Sequence, residues 1–220
     1  MDEPPKGNAA PPTLPPTGKY DFAKHHDYVV GEFNKKLKER VISEELSDEN
    51  VEKQAISINA QGADPQYYKE MVKRDIQYRE MKRLLDIQLE NCDNRWDWDD
   101  LAKIEEIERL MESAGLDSDE SPKLQKDKEA AEEKRKKAQK MSRDIHRGDE
   151  FETVDGRKVN VKAIIDKSKE NGKLSAEDAG TLASLKDRDS VRDAIRISKQ
   201  AGMVDEKLGS QMMQALGKAL

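Results

Sequence analysis

The hydrophobic residues between positions 65 and 92 recur at helical spacing, and this stretch has no glycine and no internal proline. Asp64 and Pro65 form a helix-start signal, because Asp caps free backbone N–H groups and proline lacks one. At 100° per residue the apolar positions form two stripes, the first with Tyr67, Met71, Tyr78, Leu85, Leu89 and Cys92 and the second with Val72, Ile76 and Ile87. Because both stripes need to be covered, we predict that this central helix is the spine of an intrachain bundle.

Helical patterns flank the central helix on both sides. On its N-terminal side, Tyr20–Val41 has one apolar face, and residues 47–62 indicate a short helix that starts near Ser47. On its C-terminal side, a helix follows Trp98 and ends near Gly115, a residue suited to a C-terminal cap. The short polar turn that joins this last helix to the central one predicts an antiparallel helical hairpin.

A highly charged helix is predicted from Pro122 to about Arg147, where ten Lys or Arg residues accompany five Asp or Glu residues. Its apolar residues repeat every seven positions, at Leu124, Ala131, Ala138 and Ile145. This spacing permits a coiled-coil seam, although alanine at two of the four positions makes the seam weak or very close-packed. A partly exposed connecting helix is the favoured interpretation, and an electrostatic contact with nucleic acid is an alternative.

The hydrophobic period changes from that of a helix to two residues after Gly148. An Asp155-Gly156 pair between two alternating stretches predicts a β-hairpin. A 30-residue repeat follows, with matching residues at Ser168 and Ser198, Gly172 and Gly202, and Ser175 and Asp205. Each copy has a helix, a glycine stop, an N-cap and a second helix, so we predict a C-terminal module of four short helices.

The N-terminal segment holds six of the eight prolines of the chain within residues 1–18. It is predicted to be a disordered arm, in which the stretch around Pro11, Leu14 and Pro15 could form a polyproline II ligand for a partner. The predicted organisation is therefore an arm at 1–18, a helical body at 19–115, an acidic linker and charged helix at 116–148, and the hairpin with the helical module at 149–220.

Composition agrees with a mainly α protein made of small helical units. Only 35% of the residues are hydrophobic and 39% are charged, against about 25% charged in ordinary domains. The net charge of −6 is spread with both signs interspersed, which is typical of a solvated surface. No membrane span or signal peptide is predicted, so we expect a soluble protein, either cytoplasmic or otherwise intracellular, or inside an assembled particle.

Catalytic and metal-binding chemistry is not indicated by any motif. Cys92 lies on the main stripe and is interpreted as a buried thiol, and the adjacent His25 and His26 diverge by about 100° on a helix and cannot chelate together. A calcium loop around Gly172 is excluded because cationic side chains occupy its ligand positions. We therefore predict no enzymatic activity, no metal, no cofactor and no small-molecule substrate.

The functional hypothesis is a non-catalytic interaction or assembly protein, such as a scaffold, an adaptor or a structural component of a larger complex, for example a viral particle. Its expected partners are other protein subunits, including copies of itself, and no membrane. The tryptophans either plug the end of the central hairpin or bind a partner. The candidate interaction residues are Pro11, Leu14, Pro15, Trp96, Trp98, Leu124 and Ile145.

The alternative hypothesis is a nucleic-acid-associated regulator or packaging accessory that uses the basic part of the charged helix. Its cations would neutralise phosphates, although no aromatic residue lies among them. The candidate nucleic-acid residues are Lys134, Arg135, Lys136, Lys137, Lys140, Arg143 and Arg147.

Overall fold

The computed structural model describes residues 18–36, 47, 49–51, 65–118 and 121–217, and 74% of the interpretable residues are helical. The prediction of a mainly α fold with a short hairpin is therefore confirmed. The interaction candidates Pro11, Leu14 and Pro15 lie outside the described residues, as does the predicted end of the first helix at Val41 and most of the stretch 47–62.

Eight helices and two strands have both ends within the described residues, and residues 49–51 are also helical. They are α1 (Phe22–Lys36), α2 (Pro65–Glu90), α3 (Asp100–Ser113), α4 (Pro122–Arg147), β1 (Glu150–Glu152), β2 (Lys158–Asn160), α5 (Val161–Glu170), α6 (Ala176–Ala183), α7 (Arg188–Gln200) and α8 (Glu206–Gly217). A short 3₁₀ turn, Arg95–Asp97, precedes α3. The contacts within the chain define two compact units, unit 1 (Met1–Arg95 and Glu105–Leu124) and unit 2 (Trp96–Ile104 and Gln125–Leu220).

In unit 1, the central helix α2 begins at Pro65 as predicted. Most of the first stripe is buried, with Tyr78 and Leu85 fully inaccessible to solvent, and α1 packs against α2. The second stripe is only partly covered, because Val72 and Ile76 form a cluster with Val51 whereas Ile87 is 40% exposed. Ile87 lies 11 residues beyond Ile76, about 16 Å along the helix axis, which is too far for the same small neighbour to cover.

The start of the described chain in unit 1 is held by a buried carboxylate. Glu106 is 1% exposed, accepts a hydrogen bond from the Tyr20 hydroxyl at 3.1 Å and pairs with Arg109 Nε at 3.1 Å. Burial and the neighbouring Glu106 charge raise the pKa of Tyr20 far above its usual value. The backbone N–H of Tyr20 also donates to Asn94 Oδ1 at 2.8 Å, so both ends of this residue are fixed.

In unit 2, the predicted hairpin pairs Glu150 with Asn160, Phe151 with Val159 and Glu152 with Lys158. Gly156 has a φ of 84° in the connecting turn, a conformation that glycine adopts without the steric penalty of a side chain. Asn160 then ends β2 and caps α5, since its side chain accepts a hydrogen bond from Ala163 N. The chain therefore passes from strand to helix without a linker.

The caps and glycine stops of the two copies of the predicted 30-residue repeat have similar local geometry. Ser175 Oγ accepts from Asp178 N at 3.0 Å, and the matching Asp205 Oδ1 accepts from Leu208 N at 2.8 Å. Gly172 and Gly202 both have positive φ, 67° and 69°. These two helical hairpins enclose an apolar core with α4, whose members include Ile145, Val161, Ile165, Leu182, Val191, Ile195, Met212 and Leu216.

We predict that Tyr20→Phe lowers the free energy of unfolding by about 1–2 kcal/mol, because a buried hydrogen bond to a carboxylate is lost. The hydroxyl ionises in the unfolded chain before it does so in the folded one, so the advantage of the wild type shrinks as the pH rises above about 10. Urea unfolding at pH 7.5 and at pH 10.5 measures both effects.

Tyr28→Phe is the matched control for this experiment. Within the described residues the Tyr28 hydroxyl makes no hydrogen bond, so we expect a change below about 0.5 kcal/mol. Equal losses for the two variants would contradict the role of the Tyr20–Glu106 contact.

Candidate functional site

A polar site in unit 2 surrounds the five-residue stretch Trp96–Asp100, hereafter the WD segment, which is remote in sequence from most of the residues that contact it. The segment contains the end of the 3₁₀ turn and the first residue of α3. The residues of unit 2 next to the segment are hereafter the docking site. They are Lys134 and Arg135 of α4, Arg192, Arg196 and Lys199 of α7, and Gly217 of α8. Asp99 Oδ1 accepts a hydrogen bond from Ala102 N at 2.7 Å. Asp99 therefore caps α3 and fixes the start of this helix at Asp100, the last residue of the segment.

Trp96 is the apolar anchor of the WD segment. It is half-buried and packs against the core of unit 2. A Cβ atom built on Gly217 would lie 2.5 Å from Trp96 Cη2, so the indole occupies the space that a side chain on α8 would need. The guanidinium of Arg192 lies 5.3 Å from the centroid of the indole ring, within the range of a cation–π interaction.

Arg196 binds the main chain of the WD segment. Its Nε donates to the Trp96 carbonyl oxygen at 2.7 Å, and its Nη1 donates to Asp193 Oδ1 at 2.6 Å. Arg196 and Asp193 are both buried, with 5% and 7% exposure. Because a buried cation is stable only when its donors have acceptors, the Trp96 carbonyl is part of what allows Arg196 to be buried.

Ion pairs hold the acidic side chains of the segment. Lys199 Nζ, whose side chain is 6% exposed, lies 2.5 Å from Asp97 Oδ1 and 3.1 Å from Glu206 Oε1. At the other end of the segment, Lys134 Nζ lies 2.8 Å from Asp100 Oδ2. Burial opposes the ionisation of Asp100, but the Lys134 ammonium outweighs burial and lowers the pKa of this carboxyl below its usual value.

The pKa of Lys134 responds in the opposite direction. Burial disfavours its charged form, but the carboxylates of Asp100 and Asp193 outweigh burial and raise the pKa of Lys134. Arg135 adds a longer contact, 3.8 Å to Asp99 Oδ2. The segment therefore brings three carboxylates to a site that presents cations from two helices.

The cleft beside these ion pairs is small. Its cavity volume of about 10 Å³ has room for roughly one water molecule. Asp99, Lys134 and Arg196 are among its lining residues, and the ion pairs described above already engage them. This arrangement is suited to holding a peptide segment, since a drug-sized ligand needs a pocket of about 300 Å³ or more.

Two further pairs have a composition that could support chemistry. In unit 2, His146 Nε2 lies 3.1 Å from Ser198 Oγ, which is fully buried, contacts Ser142 Oγ at 2.7 Å and donates to the Ala194 carbonyl. Burial and the nearby Lys169 lower the pKa of His146. With its proton directed to a carbonyl, Ser198 accepts from its neighbours, which is the arrangement of a satisfied core hydroxyl.

In unit 1, His25 Nε2 lies 3.7 Å from the Sγ of Cys92. Cys92 is 6% exposed, and its thiol donates to the Gln88 carbonyl at 3.2 Å. Burial, followed by the charge of Asp93, raises the pKa of Cys92, so the thiol stays protonated at neutral pH and is a weak nucleophile. Among the described residues no group of three or more His, Cys, Asp or Glu side chains is arranged to hold a metal ion.

The interaction candidates from the sequence are distributed over both units. Trp96 anchors the WD segment on the helical module, whereas the sequence pattern favours a plug at the end of the central hairpin. Trp98 is also buried, at 9% exposure. Leu124 in unit 1 and Ile145 in unit 2 are fully buried within the chain, and the heptad alanines between them are 5% and 6% exposed. As contacts for a partner they stay predictions.

The nucleic-acid candidates separate into two groups. Lys134 and Arg135 belong to the docking site, and Arg147 pairs with Asp144. The remaining four, Lys136, Lys137, Lys140 and Arg143, are exposed and form no ion pair within the described part of the chain. Their positions on the helix turn them away from the buried seam of α4.

Sequence reasoning missed the residues of α7 and α8 that hold the segment. Arg192, Arg196 and Lys199 follow the i, i+4, i+7 spacing of one helix face, which was a signal of a cationic stripe. Gly217 gave no signal, because its importance depends on an indole more than one hundred residues away in sequence.

Comparison with known proteins gives no relative from which a function could be transferred. The chain matches no family model, no curated protein and no solved structure. Within the described residues, no helix combines the length and the apolar character required to cross a bilayer.

We predict that Gly217→Ala lowers the free energy of unfolding by about 1–3 kcal/mol, because the new methyl group overlaps the Trp96 indole and the indole has to move. Thermal unfolding monitored by tryptophan fluorescence measures both the loss of stability and the change in the environment of the indole.

Gly180→Ala is the matched control, because Gly180 lies within helix α6 and no atom of a neighbouring residue lies within 4 Å of the position that its new methyl group would take. Here the higher helix propensity of alanine should raise the free energy of unfolding by up to about 1 kcal/mol. A stabilised Gly217→Ala variant would contradict the proposed seat of Trp96.

Proposed function

We propose that this chain is a non-catalytic helical interaction and assembly protein, which acts as a scaffold, an adaptor or a structural component of a larger complex. A viral particle is one such complex, and the expected location is intracellular or within the assembled particle. The observation that carries the proposal is the docking site, where a helical module binds a short linear segment through an aromatic anchor and several ion pairs.

The chemistry of this site supports recognition of protein by protein. Tryptophan and arginine are the residue types most enriched in the energetic centres of interfaces, and here Trp96 lies against Arg192 and Arg196. Arg196 also donates a hydrogen bond to the main chain of the WD segment, at the Trp96 carbonyl, so the contact fixes the backbone of the segment as well as its side chains. The expected partners are other protein subunits, including copies of the same chain.

The distribution of charge also supports a binding role. Lys134, Arg196 and Lys199 are each engaged by carboxylates at 3.1 Å or less, so the cations of the site are used to hold protein groups. Coiled-coil assembly through the heptad seam has less support, because Leu124 and Ile145 are fully buried within the chain. We therefore place the proposed contacts in the N-terminal arm, the tryptophans and the C-terminal module.

We predict that the average mass of the wild-type protein in light scattering increases with concentration. A triple variant, Pro11→Ser, Leu14→Ser and Pro15→Ser, should lower the mass at a given concentration if the arm joins copies. The matched control is Pro4→Ser with Pro5→Ser, which changes prolines of the same arm but leaves the candidate stretch intact. A monomer at every concentration would contradict self-assembly.

Nucleic-acid binding is the second candidate function, and the four exposed cations of α4 favour it. Lys136, Lys140 and Arg143 lie within about 60° of one another around the helix, and Lys137 is on the next row. Such a stripe can neutralise phosphates along a backbone and would act as an accessory to assembly around nucleic acid.

We predict for this second function that the wild type is retained on duplex DNA at low salt and that replacing Lys136, Lys137, Lys140 and Arg143 with Gln abolishes retention. Up to about four lost phosphate contacts should reduce the magnitude of the negative slope of log K against log salt by up to about 4. The control replaces Lys126, Lys173, Lys186 and Lys207 with Gln, which changes the net charge equally. Equal losses would show a nonspecific charge effect.

A further inference from the structure

We infer that the WD segment of one copy can occupy the docking site of a second copy, so that exchange of this segment joins chains. This inference rests on the proposed assembly function and names its contact. The ligand is an acidic stretch with a tryptophan anchor, and the partner that supplies it is another copy of this chain.

The contacts that hold the segment come from side chains remote in sequence. Arg196 and Lys199 lie one hundred or more residues after the groups that they bind, Trp96 O and Asp97. Such contacts depend on the complementary shape and charge of the segment and the site, and not on the covalent chain between them. Because every copy carries the same segment and the same site, the interactions made within one chain can also be made between two chains.

Each part of the site contributes to recognition. The space over Gly217 accepts the indole, Arg192 stacks on it, and Arg196 binds the carbonyl that follows. Lys199 and Lys134 then select carboxylates at the second and fifth residues of the segment, Asp97 and Asp100. The WD segment of this chain has the required tryptophan and carboxylates, and it is the segment that occupies the site in the structure.

Local concentration determines which partner fills the site. A tether within one chain gives an effective concentration on the order of 1 mM, so in dilute solution the segment of the same chain fills the site. Copies held close together in a large assembly reach comparable concentrations, and the two arrangements then become similar in free energy. Segment exchange therefore couples the contact to crowding of copies.

A charge-reversal experiment with full-length protein tests the inference. One variant carries Asp97→Lys and Asp100→Lys, and a second carries Lys134→Glu and Lys199→Glu. In each variant alone, the segment and the site have like charges and repel each other. In an equimolar mixture the reversed segment of the first variant faces the reversed site of the second, and the two unaltered partners also match.

We expect the mixture to have about twice the average mass of either variant alone when measured well below the effective concentration of about 1 mM. The matched control is the quadruple variant, in which the segment and the substituted site residues again have opposite charges within one chain and whose mass should equal that of the wild type. The contacts of positions 134 and 199 with Asp193 and Glu206 are lost equally in the control and at the reversed sites of the mixture. A mixture with no gain in mass, while both variants retain wild-type helical circular dichroism, would overturn segment exchange.

A peptide measurement requires only one of the two variants and covers the case in which the Lys134→Glu and Lys199→Glu variant fails to fold. A fluorescent peptide of residues 93–104 should bind full-length protein carrying Asp97→Lys and Asp100→Lys, or the wild type if that variant fails to fold, at least about tenfold more tightly than the same peptide with Trp96→Ala. Tryptophans that anchor an interface typically contribute this much or more to binding. Equal binding of the two peptides would overturn the inference.

These outcomes also separate this inference from the proposed function. Growth of the wild-type mass with concentration, combined with no gain in the mixture, would overturn segment exchange and leave assembly through another surface standing. A gain in the mixture with a monomeric wild type would support segment exchange and contradict assembly of the unaltered protein in dilute solution.

Discussion

The buried guanidinium of Arg196 imposes the constraint on which the structure of unit 2 depends. A guanidinium has five N–H donors, and removing it from water costs several kcal/mol unless acceptors replace the lost hydration. Asp193 on the same helix provides one acceptor and the carbonyl of Trp96 provides another. The first acceptor is local, but the second belongs to a remote segment. A stable Arg196 therefore requires that the WD segment, or an equivalent one, occupies the docking site.

The need of buried polar groups for hydrogen-bond partners also bears on how a chain with so few apolar residues forms an ordered unit. The core of unit 2 is made by two small helical hairpins of similar layout, and helix caps and buried polar contacts add to its apolar packing. Ser198 shows how the copies have diverged. It contacts Ser142 and His146 from α4, whereas the matching Ser168 has a buried hydroxyl without a hydrogen-bond partner among the described residues. The second hairpin is thus the one that is joined to α4 by polar contacts.

Local signals in the sequence were sufficient to predict most of the described secondary structure. Pro65 and Pro122 begin helices, Gly115 has a φ of 74° after α3, and Ser175 and Asp205 form caps as the repeat indicated. Each of these features depends on a few neighbouring residues, which is why a single sequence reveals them. The exposure of Ile87 was not predictable in this way, because it depends on which residues pack beside it in the fold.

The docking site could not be derived from local patterns either. Aspartate can cap a helix and can also form an ion pair, so the sequence does not distinguish the two roles. Only the fold shows that Asp99 is a cap and that the acids on either side of it pair with Lys199 and Lys134.

Helix α7 shows how one short element can serve both the core and the segment. Its residues Val191, Ala194 and Ile195 are fully buried in the core of unit 2. At 100° per residue, Arg192, Arg196 and Lys199 lie within about 60° of one another on an adjacent face. The helix therefore keeps its position through apolar packing even when its cationic face changes partner. A face of this kind can exchange one acidic segment for an identical one without loss of the core, and this separation of tasks is the physical basis for regarding the docking site as a reusable interface.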